Sequence, residues 1–230
     1  IWIGTFNGLN RYNKSTGLFQ NHTANDIQTD GLTHSSIWCI VKDNQGTLWL
    51  GTYFGGVNYF NPEYEIYTRY SYSSNEKKGL SNPVVGRTIE DKNGNLWIGT
   101  EGGGLNYYNR RTREFKWYRP QEGRNSISHN NVKALYYDAD KEIIWIGTHL
   151  GGLNKLDIRS GHFTHYRMEG NNPQSLPSDI IRDITPYKDL LIIATQNGVC
   201  LFNPANGQCR QLFKDSKEGK SIKMVADVVF

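Results

Sequence analysis

Short runs of alternating apolar and polar residues follow one another along this chain, separated by segments rich in Gly, Asn and Asp. Alternation with a period of two predicts β-strands that turn one face to a core and the other to solvent. No run reaches the roughly 18 apolar residues that a membrane-spanning helix needs. The pattern therefore predicts an all-β protein built from many short strands.

One phrase, Trp followed by Ile or Leu, then Gly and Thr, returns every 47 or 48 residues. A period of about 45 residues made of short β-type runs is typical of β-propellers, in which each repeat forms one four-stranded antiparallel sheet, called a blade. The fifth copy has lost both its Trp and its Gly. The copies are Trp2–Thr5, Trp49–Thr52, Trp97–Thr100, Trp145–Thr148 and Ile192–Thr195.

The third repeat shows the predicted blade most clearly. The turn at 91–94, Asp-Lys-Asn-Gly, separates its first two strands, because Asp and Asn bond their own backbone and Gly tolerates positive φ. A glycine corner at 102–104 leads into the third strand. We expect Trp97 to wedge between neighbouring blades and Gly99 to let the adjacent sheet approach closely. The four strands are predicted at 84–90, 95–100, 105–108 and 114–118.

Five repeats fit into the 230 residues, and we predict a single β-propeller, or a propeller fragment, over 1–230. The first repeat lacks strand one, whereas 220–230 looks like a lone strand one. Pairing of that strand with the first repeat would close five blades and remove exposed sheet edges; the alternative is a piece of a longer array. We expect a longer parent protein, because the chain begins inside a strand without an initiator Met. The repeats lie near 1–30, 31–78, 79–125, 126–174 and 175–219.

Composition and charge agree with this architecture and exclude some functions. Aromatic residues make up 13% of the chain and there are 24 glycines, which suits short strands joined by tight turns. The net charge of +4 is spread along the chain without a basic stripe or a nucleic-acid-binding motif, so no nucleic-acid partner is predicted. The three cysteines lack metal-ligand spacing, and we predict no metal site and no cofactor.

Two of the cysteines, Cys200 and Cys209, break the repeat pattern within the last blade. The other blades have Asn at the first position and Phe or Tyr at the second. If the hairpin turns at 204–207, the two cysteines are diagonal neighbours on one sheet face. Diagonal neighbours are usually too far apart for an unstrained bridge, so the geometry disfavours a disulfide and leaves the state of the pair open.

The two residues after each Thr and the residue at the head of strand one differ between blades, although their surroundings repeat. Because the architecture does not dictate them, they are candidates for recognising a ligand. Aromatic rings stack on the apolar face of a sugar, while Arg and Lys suit anionic groups. The alternative is that these residues pack blades and solvate the rim. The predicted ligand-binding residues are Trp38, Tyr53, Arg87, Glu101, His129, Lys133, His149 and Arg182.

Catalysis is the alternative to recognition. A propeller glycosidase needs two carboxyl groups roughly 5 to 9.5 Å apart across the scissile bond. The predicted rim carries Glu101, Asp179 and Asp183, which form no pair on one strand. No catalytic residue is therefore predicted; a propeller lyase and a protein-docking scaffold are the further alternatives.

The repeat, written Asp-x-x-Gly-x-Leu-Trp-Ile-Gly-Thr-x-x-Gly-Gly-Leu-Asn-x-Tyr, resembles the two-component regulator propeller repeat. The match is close at 43–60, at 91–108 and, with one inserted residue, at 138–156. In that family the repeats form extracytoplasmic sensor domains of hybrid two-component histidine kinases, most abundant in gut Bacteroidetes. Those domains recognise oligosaccharides released from complex glycans.

This resemblance implies a non-catalytic sensor module in the periplasm whose ligand is an oligosaccharide or another small polar molecule. It also implies that the parent protein supplies further blades, a membrane segment and a histidine kinase, and that homodimers form through the parent. Family propellers usually have seven blades, more than this chain contains. Blades that contact a ligand are then expected outside it as well.

Overall fold

The computed structural model of the chain describes residues 1–24, 31–61 and 66–212. Apart from a single 3-10 turn at Glu76–Lys78, every helix or strand in these ranges is a β-strand. The strands are β1 (Trp2–Thr5), β2 (Gly8–Tyr12), β3 (Phe19–His22), β4 (Ile37–Lys42), β5 (Leu48–Thr52), β6 (Val57–Asn61), β7 (Ile66–Tyr70), β8 (Val85–Glu90), β9 (Leu96–Thr100), β10 (Leu105–Asn109), β11 (Glu114–Tyr118), β12 (Val132–Asp138), β13 (Ile143–Thr148), β14 (Leu153–Asp157), β15 (Phe163–Tyr166), β16 (Ile181–Tyr187), β17 (Leu190–Thr195), β18 (Gly198–Asn203) and β19 (Gln208–Leu212).

Consecutive strands pair antiparallel, so each sheet is an up-and-down meander. Blade one, β1–β3, has three strands, and blades two to five, β4–β7, β8–β11, β12–β15 and β16–β19, have four each. The predicted all-β architecture of four-stranded antiparallel blades is confirmed. Blade one lacks strand one within the described residues, as its sequence indicated. The closing strand predicted at 220–230 lies outside the described residues.

Contacts along the chain divide it into two compact units. The first unit, Ile1–Trp117, holds blades one to three, and the second begins at Tyr118, the last residue of β11. Within each unit, neighbouring blades meet through strands one and two: β1 contacts β4, β5 contacts β8, and β13 contacts β16. Strands one also contact each other, β4 with β8 and β12 with β16, so they lie where the blades converge. That 1–230 form a single propeller stays a prediction.

The repeated Trp fills the space between neighbouring blades. Trp49 is 1% exposed, and its ring stacks on Tyr70 at 5.6 Å and lies 6.1 Å from Tyr108 of blade three. In the second unit, Trp145 meets Phe202 of blade five edge-on at 5.4 Å. A large flat side chain in such a position contributes both apolar area and aromatic contacts. The predicted wedge is confirmed at these two positions.

The repeated Gly lets neighbouring blades approach each other. A Cβ added at Gly51 would lie 2.7 Å from Val85 Cγ1 on β8, and one added at Gly147 would lie 2.5 Å from Ile181 Cγ2 on β16. Such separations are shorter than carbon atoms tolerate, so any other residue would push the blades apart. The predicted close approach is therefore observed in both units.

Asp43, in the tight turn of blade two, does more than form the turn. Asp43 Oδ1 accepts hydrogen bonds from Gln45 N and Thr47 N, each at 2.9 Å. Its Oδ2 accepts from Trp49 Nε1 at 2.8 Å and from Arg110 Nη2 of blade three at 2.9 Å. Asp43 thus fixes the turn, orients the wedge and ties two blades together.

In blades two, three and four, a buried Asn on strand three fastens the segment that enters the blade. Asn106, fully buried, accepts a hydrogen bond from Ser81 N and donates one to Ser81 Oγ, both at 2.8 Å. Asn58 makes the same pair of bonds with Thr33, and Asn154 makes it with Ser128. We call this arrangement the Asn clamp.

Blade five lacks the Asn clamp on both sides. Cys200 stands at the Asn position, and Pro177, which has neither a backbone N–H nor a hydroxyl, stands where the other blades have Thr33, Ser81 and Ser128. The sulfur atoms of Cys200 and Cys209 lie 3.2 Å apart and both thiols are free. The two sulfur atoms thus lie closer than diagonal positions usually allow, but they are not bonded.

We predict that Asn106→Ala lowers the free energy of unfolding by about 1–3 kcal/mol, because it leaves the buried Ser81 N–H without an acceptor. Chemical denaturation monitored by tryptophan fluorescence measures this. The matched control is Asn10→Ala, since Asn10 is only partly buried and bonds to Asn21 at an exposed site. Equal stability losses in the two variants would contradict the clamp.

Candidate ligand-binding site

A β-bulge interrupts the start of strand one in each four-stranded blade. The ladder between strands one and two shifts register between Ile37 and Cys39, and again between Val85 and Thr88. The same shift occurs between Val132 and Ala134 and between Ile181 and Asp183. The residues left without a ladder partner include Trp38, Arg87, Lys133 and Arg182.

These four bulged residues are the ones that the sequence selected at the head of strand one. A bulge turns its extra residue away from the regular pleat, and bulges are over-represented beside functional sites. Every four-stranded blade therefore repeats the same bulge at the start of strand one, and the bulged residue is Trp, Arg or Lys. Arg87 belongs to the first unit, and Lys133 and Arg182 belong to the second.

In the first unit, three aromatic side chains form a continuous exposed surface, which we call the aromatic patch. Trp38 stacks on Tyr53, with ring centroids 5.4 Å apart and planes 13° apart, and Tyr53 meets Phe54 edge-on at 4.5 Å. His34 lies 6.4 Å from Tyr53 at the margin. Trp38 is 44% exposed and Phe54 59%, although each is large and apolar. The structure thus brings the predicted residues Trp38 and Tyr53 together.

Two cavities flank Trp38. One, of about 360 Å³, is lined by Thr5, Phe6, Ile37 and Trp38 together with Gly4. The other, of about 300 Å³, runs along strand one of blade two and reaches Arg87 and Thr88 of blade three. Trp38 therefore separates an apolar hollow beside the exposed Phe6 from a more polar one that Arg87 lines. Both volumes are at the lower end of the range for small-ligand pockets.

Phe54 and Leu150 are held in a backbone conformation that bulky residues rarely adopt. Phe54 has φ 111° and Leu150 has φ 80°, whereas blade three has Gly102 at the matching position with φ 110°. A bulky side chain in this region costs energy, and here it is also exposed rather than buried. Both belong to the variable positions after the Thr that the sequence marked as candidates, but neither was selected as a predicted ligand-binding residue. The sequence signal that could have identified them is a bulky apolar residue at the position where blade three has Gly102.

The rim of the second unit carries a pair of histidines. Burial lowers the pKa of His129 below its usual value of 6.5, and the nearby His149 and Arg167 lower that pKa further. The Nδ1 atom of His149 is buried without a hydrogen-bond partner among the described residues. Arg167 also donates to the carbonyl of Leu150 at 3.4 Å. His129 and His149, both predicted site residues, therefore lie close enough to influence each other.

The remaining predicted residues, Arg182, Glu101 and Lys133, form individual contacts within the described part of the chain. Arg182 Nη2 donates to Oε1 of Gln196, which directly follows the neighbouring strand β17. Glu101 N donates to Val84 O at 2.9 Å, which places Glu101 beside the start of strand one of its own blade. Lys133 and Glu101 both have partners. Their part in ligand binding stays a prediction.

Comparison with known families identifies the repeat. The family model described as two component regulator propeller matches residues 31–54, 79–102 and 126–149, each from the crossing before strand one to the residues after the Thr. These three segments therefore match the two-component regulator propeller repeat. The first matched segment contains the three residues of the aromatic patch and His34. The resemblance found in the sequence is confirmed.

Solved structures share the fold of these propeller repeats. The extracellular domain of BT3049 from B. thetaiotaomicron, described as a hybrid two-component system, matches 91% of this chain with TM-score 0.77 and 21% identity. The extracellular domain of BT4673 from the same organism, described as a one-component system, matches 92% with TM-score 0.56 and 22% identity. PorZ, a surface component of the type-IX secretion system of Porphyromonas gingivalis, matches 95% with TM-score 0.68 and 19% identity.

At these identities the likeness shows the fold alone. The present chain spans 28% of the BT3049 chain, 36% of the BT4673 chain and 32% of the PorZ chain. Comparison with curated proteins gave no match. In the described ranges no helix is long and apolar enough to cross a bilayer. The same ranges contain no group of three or more His, Cys, Asp or Glu side chains placed to hold a metal ion.

We predict that Phe54→Gly raises the free energy of unfolding by about 1 kcal/mol, because relief of the positive-φ strain exceeds the entropy cost of glycine. Thermal and urea denaturation measure the change. The matched control is Tyr53→Gly, whose backbone has no positive φ and which should therefore lose stability. A destabilised Phe54→Gly protein would show that the ring supports the fold.

We also predict a pH dependence from His129. Because its pKa is lower in the folded chain than its usual 6.5, the unfolded chain binds more protons as the pH falls below that value. The unfolding free energy should therefore decrease on acidification below about pH 6.5, and the decrease should be smaller in His129→Gln. Urea melts over this pH range test it. His162→Gln, at an exposed turn, is the control and should keep the parental profile.

Proposed function

We propose that this chain is the ligand-recognising part of an extracytoplasmic two-component sensor and that its ligand is an oligosaccharide or a similar small polar molecule. The observation that carries the proposal is the repeated bulge, which presents Trp38 on the exposed aromatic patch with Arg87 across the adjoining cavity. The chain itself carries no catalysis in this proposal.

The chemistry of the aromatic patch favours a sugar. A pyranose ring has an apolar face of C–H groups, which an exposed indole or phenol ring covers, and a rim of hydroxyls that need polar partners. Trp38 and Tyr53 offer the apolar surface, and His34 and Arg87 lie within the same unit as polar groups. Arg87 also suits a carboxylated or sulfated sugar, because guanidinium binds such groups through two hydrogen bonds.

The similar proteins support a cellular setting for this proposal. The propeller repeat is that of two-component regulators, and two of the similar structures are extracellular domains of B. thetaiotaomicron signalling systems. We therefore place the chain outside the cytoplasm, in the periplasm, as part of a membrane-bound sensor. In this proposal the parent protein supplies further blades and a histidine kinase, and homodimers form through the parent.

The rim carboxylates support the non-catalytic assignment. Asp179 accepts a hydrogen bond from Met168 N at 2.7 Å and lies 3.7 Å from Arg167 Nη1. Asp183 is 9% exposed and accepts from Thr185 Oγ1 at 3.0 Å. Both carboxylates thus have structural partners, which supports a structural role for them in this proposal.

One observation favours a second candidate, a protein-docking propeller. Phe6 is 76% exposed and Phe54 59%, and each lies in the aromatic patch or in the cavity beside it. Exposed apolar surface of this kind also marks protein interfaces. A docking partner would use the flat apolar surface and would not depend on Arg87.

Isothermal titration calorimetry of the chain against a panel of neutral and acidic oligosaccharides tests the proposal. We expect binding that Trp38→Ala and Tyr53→Ala each weaken at least tenfold, a loss of about 1.4 kcal/mol. If the sugar is acidic, Arg87→Ala should weaken binding in a salt-dependent way.

The matched control is Tyr72→Ala, which removes another exposed aromatic ring of the first unit, 55% exposed and outside the patch. This variant should bind as the parent does. Equal loss in all three aromatic variants would reject the patch as the site. No binding to any sugar, together with a protein partner lost in Trp38→Ala, would support the docking alternative.

A further inference from the structure

Blade five brings two cysteines together where the other blades have an amide and an aromatic ring. Cys200 lies on β18 opposite Gln211, and Cys209 lies on β19 opposite Phe202, so the cysteines are diagonal neighbours on one face. Their sulfur atoms are 3.2 Å apart. This separation is close to van der Waals contact, although diagonal positions are normally farther apart.

Both cysteines are buried in the apolar core of the second unit and depart from the residues of the other blades. Cys200 replaces the clamp Asn in the blade where Pro177 has removed the donor that the Asn would bind. Cys209 replaces a ring such as Phe115 or Phe163, which are buried in their own blades, and a thiol fills less space than a phenyl group. The two substitutions are nine residues apart in the sequence, but their side chains are in contact on the sheet.

The backbone at the start of β19 is held in place. Cys209 N donates to Gln174 O at 2.7 Å. Gly207 lies against the ring of Tyr166, because a Cβ there would be 2.7 Å from Tyr166 Cε1. The outer strand β19 is therefore anchored at its start.

We propose that Cys200 and Cys209 are a thiol modification site that closes to a cross-strand disulfide between β18 and β19 when the chain meets a disulfide oxidant. The bond ties the outermost strand of blade five to its neighbour. This inference is independent of the proposed sugar binding.

The two sulfurs differ in access, which sets the order of the reaction. Cys209 lines a surface cavity of about 280 Å³, whereas Cys200 is fully buried. The hydrogen bond with Cys209 and burial both raise the pKa of the Cys200 thiol, so the first attack comes from Cys209. Oxidation in the folded chain is accordingly slow, and it is faster while the blade is still opening or folding.

The exchange conserves atoms and electrons. The Cys209 thiolate attacks one sulfur of the oxidant disulfide, forms a mixed disulfide and releases one thiolate. The Cys200 thiol then loses its proton and attacks the Cys209 sulfur, which expels the second thiolate of the oxidant. The two cysteines lose two electrons and two protons, and the oxidant is reduced to two thiols.

The test is alkylation and intact-mass measurement after refolding of the chain with oxidised and reduced glutathione. The fully reduced protein has three cysteines and takes up three alkyl groups. We expect the oxidised protein to take up one, on Cys39, to weigh less by two hydrogen atoms before alkylation, and to give a peptide that joins β18 to β19. The native protein should reach the same product more slowly.

Matched variants locate the bond. Cys39→Ser should keep the cross-link, and Cys200→Ser and Cys209→Ser should each abolish it. Three alkylated cysteines after oxidation, a stable glutathione adduct on Cys209 beside a free Cys200, or a cross-link that includes Cys39 would each overturn the proposal. The peptide map of the unaltered chain decides the question even if a Ser variant fails to fold.

Discussion

The spacing between neighbouring blades is the constraint on which the rest of the structure depends. Gly51 and Gly147 permit strand two to touch the adjacent strand one, and Trp49 and Trp145 fill the wider part of the same gap. The repeated Gly and the repeated Trp act together, because a Cβ at the Gly would separate the two sheets between which the Trp ring packs. The positions of the rim residues depend on this contact, because it sets the distance between neighbouring blades.

Buried polar groups then fix what apolar packing leaves free. Asp43 stabilises a turn, accepts a hydrogen bond from the indole of Trp49 and forms an ion pair with Arg110 of the next blade. The Asn clamp fastens the segment that enters the blade. Such groups are stabilising only when each donor and acceptor is satisfied. In blade five both partners of the clamp are replaced together: Pro177 stands in place of the donor and Cys200 in place of the Asn, so no polar group of the clamp is left unsatisfied.

The sequence predicted the blades because strand period, turn residues and the Trp-x-Gly-Thr phrase are local signals at fixed spacing. It also selected Trp38 and Arg87, but it did not predict the bulges, because a bulge depends on the register between two strands and no residue type marks it. The 3.2 Å contact of Cys200 and Cys209 depends on the twist of one hairpin, which a flat-sheet estimate misses.

The bulges have an evolutionary consequence. A residue that no ladder partner faces is released from cross-strand matching, so its replacement leaves the hydrogen-bonded scaffold unchanged. Each duplication of a blade therefore copies one adaptable position along with the rigid framework. Indole at one copy and guanidinium or ammonium at the others show how such an array diversifies its chemistry one side chain at a time.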